Sequence, residues 1–82
     1  MAVPPFDPGA DPGAYLYEVM AAHLEARISA GDLPVGARLP NERDLAAEYG
    51  VSVHTARHAV RMLRDRGLLI TRAVKGTFVA GR

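Results

Sequence analysis

The chain has no cysteine, which rules out disulfides and thiolate metal sites. It has no apolar run near the ~18–20 residues that a membrane-spanning helix needs. No basic segment followed by an apolar core opens the chain, so nothing reads as a secretory signal, and a cytoplasmic location is expected by default. No serine sits in a base–acid arrangement suited to nucleophilic catalysis. No strand–glycine–helix fingerprint marks a phosphate loop. His54 and His58 stand at metal-ligand spacing, but no cysteine or carboxylate completes a set. Catalysis, a bound cofactor and a metal site are therefore not expected.

The chain's 82 residues make one small domain. A domain of this size buries roughly 60–65% of the surface its unfolded form exposes, so there is little room for a catalytic cleft. Hydrophobic residues make up 49% and charged residues 23%, an ordinary globular balance. The net charge of +1 hides a polarity. Residues 1–50 carry three basic residues against eight acids, whereas residues 51–82 carry seven basic residues against Asp65 alone. A C-terminal half of that sign points to a polyanionic partner. An uneven surface charge on a soluble domain is the plain alternative.

Residues 1–13 hold four prolines and two glycines and read as a flexible or extended tail, in which docking of Phe6 is not required. A helix is expected over 14–30, with Leu16, Met20, Leu24 and Ile28 on one stripe that Val19 widens. Gly31, Pro34 and Gly36 mark a turn-rich connection, in which Arg38 and Leu39 suit a very short strand. A second helix should start at the Asn41 cap, with Glu42 and Asp44 in its first turn where the dipole favours acids. Gly50 ends it, since glycine takes a positive φ without steric cost. Ser52 caps a third helix whose inner stripe is Ala56, Ala59, Val60 and Leu63 and which Gly67 closes.

Helix, short glycine turn and helix form a helix-turn-helix unit. Residues 68–72 and 77–80 then read as two strands joined by a turn over 73–76. A hairpin directly after such a unit is the wing of a winged helix. The expected fold is therefore mainly α with a small β-sheet: three helices plus a β-hairpin wing, occupying residues 14–80.

Between Gly31 and Val79 the chain carries an ordered series of motifs. They are G-D-L-P-x-G-x-x-L-P-x-E-R-x-L-A, then G-V-S, T-x-R, G-L-L and G-T-F-V. This series resembles the DNA-binding domain of the GntR family of bacterial transcription regulators. The resemblance implies a winged helix with a short three-stranded sheet that regulates transcription, most often as a repressor. It also implies a dimer on a roughly palindromic double-stranded operator, and a separate C-terminal domain that senses a metabolite. No such domain follows the wing before Arg82. A monomer in solution that pairs at best weakly on DNA is the corresponding expectation, at the nucleoid of a cytoplasm.

An α-helix enters the major groove with its N-terminal residues at the base edges. In the third helix these are Ser52, His54, Thr55 and Arg57, with Arg61 a turn further on. Arg57 suits bidentate pairing with guanine, and the matching family residue has that role. Arg43 corresponds to a family arginine that contacts DNA. Lys75, Gly76 and Thr77 match the family wing, which reaches the minor groove. Arg64 and Arg66 either touch the backbone or serve the helix C-terminus through its dipole. Val53 stands where the family often has a DNA-contacting arginine, and Val74 where its wing usually has glycine. A winged helix used as a protein–protein module is the rival reading.

Overall fold

A computed structural model describes residues 3–81; Met1, Ala2 and Arg82, the outer ends of the expected tail and of the basic half, lie outside the described residues. Three helices and one hairpin follow in order: α1 (Leu16–Ser29), α2 (Glu42–Tyr49), α3 (Val53–Asp65), β1 (Leu69–Arg72) and β2 (Gly76–Val79). The helix α3 is central and packs on α1, α2 and β1. This is the expected mainly helical winged helix.

The local signals act as read. Asn41 accepts a hydrogen bond from the Asp44 N–H at 2.9 Å, and its own amide donates to the Asp44 carboxylate. Gly50 takes φ 67° as α2 ends, which lets the Val51 N–H close back on the Ala46 carbonyl at 3.0 Å. Ser52 Oγ accepts from the Thr55 N–H at 3.0 Å. Loss of such a cap costs about 1 kcal/mol. Ser52→Ala is therefore expected to lower stability by about that much in a denaturant melt, with no change in the fold.

The core gathers Met20, Leu24, Leu45 and Leu63, all fully buried, with Leu39, Leu69 and Val79 sealing its wing side. Ala46 on α2 and Ala56 and Ala59 on α3 are also buried, and these small side chains let helices cross closely. The inner stripe of α3 is buried at every expected position. The stripe of α1 is not. Leu16 is 39% exposed because it lies in the helix's first residue, beyond the packed length. That helix also starts later than expected. Tyr15 stays extended, and its N–H donates to Glu18 Oε1 at 2.9 Å.

The strands pair antiparallel, with Leu69 opposite Val79 and Arg72 opposite Gly76. The three-stranded sheet that the resemblance implies is reduced. Two strands form the sheet, and the third contributes one bridge, Arg38 to Phe78. Pro40, which lacks an N–H, stops further pairing immediately after it. The Leu39 N–H to the Thr77 carbonyl and the Val79 N–H to the Ala37 carbonyl, both 2.9 Å, tie this segment to β2.

The N-terminal segment lies on the body. Phe6 is half-buried, its ring centroid 4.9 Å from Tyr49 and 5.6 Å from His23. His23 Nε2 donates to the Pro4 carbonyl at 2.7 Å, since a carbonyl can only accept. Its Nδ1 lies 2.7 Å from the Tyr49 hydroxyl, which also accepts from Arg27. Burial pushes the Tyr49 phenol up, against the opposing pull of Arg27. Burial alone would lower the Arg27 pKa, but hydrogen bonds to Asp32 and Tyr49 carry it above the ordinary guanidinium value.

Candidate nucleic-acid interface

The exposed flank of α3 carries the expected reading residues. Burying Ala56, Ala59, Val60 and Leu63 turns His54, Arg57 and Arg61 outward on the opposite side of the helix. With His58 they line a shallow groove of about 110 Å³. Val53 is exposed at the helix start. Arg43 is exposed in the first turn of α2.

Arg57 is not a free arm. Its Nε donates to Glu42 Oε1 at 3.1 Å, and both side chains are about half exposed. An ion pair so open to solvent contributes little to stability. Its consequence is orientation. Glu42 engages Nε and leaves the two terminal nitrogens of the guanidinium, a parallel pair of donors, for a base edge. Sequence reasoning missed this tether, because Glu42 and Arg57 stand fifteen residues apart and meet only after α2 crosses α3.

Ser52 and Thr55 are coupled. Ser52 Oγ accepts from the Thr55 N–H and donates to Thr55 Oγ1 at 3.0 Å. The Thr55 hydroxyl proton is then the one left to donate outward. His58 differs from its neighbours. Its ring stacks on Tyr17 of α1, with centroids 3.6 Å apart and planes 7° apart, so α1 holds it at the flank. No signal in the sequence pairs these two residues.

The wing residues lie together at the hairpin turn. Lys75 is exposed and leads into Gly76 and Thr77 at the start of β2. Val74 is fully exposed at φ 69°, a strained backbone for a β-branched residue and the place where a glycine would be at ease. Gly76 sits at φ +117°, with Arg38 Nε 2.8 Å from where its Cβ would stand. A side chain at Gly76 would require that exposed guanidinium to swing aside. Among the described residues, no three His, Cys, Asp or Glu side chains gather as metal ligands, and no helix is long and apolar enough to cross a membrane.

A helix-turn-helix with a basic second helix, followed by a hairpin wing with a lysine at its turn, defines a winged-helix DNA-binding domain. The model of the gntR family of bacterial regulatory proteins matches residues 16–79, and the chain belongs to that family. An HTH-type transcriptional regulator of Mycobacterium tuberculosis is 48% identical over 61 residues, covering 74% of this chain and 23% of that protein. Another regulator of the same description and organism is 37% identical over 68 residues, 83% of this chain and 56% of its own length. The chain thus spans little more than half of one relative and about a quarter of the other.

Among solved structures, the AraR DNA-binding domain in complex with operator ORX1 superposes at a TM-score of 0.74 with 34% identity, covering 78% of this chain and 77% of that one. The fold is also that of YtrA from Sulfolobus acidocaldarius, a GntR-family transcription factor, at a TM-score of 0.87 and 24% identity over 96% of this chain and 83% of that one. This chain is accordingly a DNA-binding domain of the kind found in the gntR family of bacterial regulatory proteins.

Proposed function

We propose that this domain binds a roughly palindromic operator in double-stranded DNA and represses transcription in the cytoplasm by occluding a promoter. The α3 helix lies in the major groove and the wing at the minor groove. The observation that carries this reading is Arg57, held by Glu42 on the outer flank of α3 with its terminal nitrogens free. In that pose Arg57 pairs with a guanine, while His54 and Arg61 extend the contact along the groove. Thr55 donates to a phosphate, and Ser52 shapes the helix start for it. Arg43, at the start of α2, neutralises a phosphate of the flanking strand, and Lys75, Gly76 and Thr77 bring the wing to the minor groove. The operator-bound AraR domain supports a duplex partner by likeness. The isolated domain is a monomer that pairs weakly on the two half-sites.

Arg43→Ala or Lys75→Ala is expected to weaken binding on all sequences alike. Each lost phosphate contact lowers the slope of log K against log salt by about 0.9. Titrations of one duplex at several salt concentrations measure this, and an unchanged slope for both variants contradicts the phosphate contacts.

A further inference from the structure

A groove of about 290 Å³ separates the wing from the helix-turn-helix. It is lined by Arg38, Asn41, Arg64, Thr71, Gly76 and Thr77. Its one acidic wall residue, Glu42, is already paired with Arg57. Among the described residues, the ion pairs engage Arg27, Arg57 and Arg66 and leave Arg38 and Arg64 without a carboxylate. Two guanidiniums thus border one groove with no acid of their own.

Arg38 is placed by its backbone and Arg64 by a side-chain hydrogen bond. The bridge to Phe78 fixes the Arg38 backbone, and its side chain runs over the bare Cα of Gly76. Arg64 Nη1 donates to Thr71 Oγ1 at 3.1 Å, and Thr71 Oγ1 lies 3.1 Å from Thr77 Oγ1. Thr71 Oγ1 has two lone pairs, so either threonine can be the donor between them. One hydroxyl proton of the pair is left over for a ligand in the groove. The groove therefore offers guanidinium and hydroxyl donors, a set suited to a singly charged ligand that only accepts hydrogen bonds.

We propose that this groove is a binding site for a DNA backbone phosphodiester, with Arg38 and Arg64 as its two cationic walls and the Thr71–Thr77 hydroxyl pair supplying a donor between them. The site rests on the duplex-binding reading above and extends it to two arginines that lie outside the base-reading set. Arg38 belongs to neither the helix-turn-helix nor the hairpin. Its side chain nevertheless lies over Gly76 of the wing.

The test compares the wild type, the double variant R38A/R64A and the charge-preserving R38K/R64K on one duplex across a salt series. Both arginines are exposed, so thermal melts of all three should coincide and separate folding from binding. The double alanine variant is expected to lose about 0.9 or more from the log–log salt slope, while the lysine pair keeps most of it. It should weaken every duplex alike, leaving base preference intact. A double alanine variant with the wild-type slope overturns the site while leaving duplex binding standing. A wild type without salt-dependent duplex binding overturns the functional reading, and the site with it.

Discussion

Replacing Arg57 by alanine is expected to weaken operator binding by about 1–3 kcal/mol, the discrimination that a bidentate arginine–guanine pair supplies. That is a loss of roughly 5- to 150-fold in affinity. The variant should also become indifferent to one base pair in each half-site, because only that contact reads it. The Glu42 tether sharpens the expectation. Glu42 holds Nε and presents the two terminal nitrogens, so the guanidinium reaches the groove already oriented. Arg57→Lys keeps the charge but loses the fork, and it should retain general affinity while losing the base preference. Selection of bound sequences for each variant checks this. A wild-type preference retained by Arg57→Ala contradicts the assignment.

The second large effect is on folding. Leu63 is fully buried where α3 meets the rest of the core. Leu63→Ala removes that side chain and leaves a cavity the neighbours only partly fill, at a cost of about 2–5 kcal/mol. Small domains hold about 5–15 kcal/mol in total, so this is a large share. The melting temperature should fall by at least about 8 °C, at the 4–8 °C per kcal/mol typical of this size. DNA binding should weaken at temperatures where the wild type is still folded, because α3 carries core residues and, on the proposed reading, the base contacts as well. A melting point within about 2 °C of the wild type would show that the core can close over the gap, contrary to its tight burial here.

What the sequence shows and what it hides divide by range. The caps at Asn41 and Ser52, the αL turn at Gly50 and the inner stripe of α3 are all local, set by residues within a turn of one another. Each is visible as a pattern, and each is in place. The contacts that refine the site join distant segments. Glu42 meets Arg57, Tyr17 stacks on His58, and Arg38 covers Gly76, and no spacing rule links these partners. Phe6 is a similar case, since a proline-rich segment gives no sign of the His23–Tyr49 surface it lies on. Leu16 shows the opposite failure. It fits the apolar period of α1 but falls where the helix has run past its partners. Periodicity gives the face of a helix and not the length along which that face is covered.

Val53 and Val74 set this domain apart from the usual family pattern at the two places expected to meet DNA. Val53 is exposed at the start of α3 and offers only methyl groups, which suit a thymine methyl and not a phosphate. Val74 holds a strained positive φ at the wing turn. On the proposed reading, more of the base recognition would then fall on Arg57, with His54 and Arg61 beside it.

The most direct measurement is selection of bound duplexes from a random DNA pool, followed by titration of the selected duplex and a scrambled one at the same salt concentration. The expected result is an enriched short motif containing a guanine whose replacement mimics Arg57→Ala. A loss of about 1–3 kcal/mol for each altered base pair in the site is also expected. No enrichment, together with equal affinity for the selected and scrambled duplexes, would contradict the proposed reading.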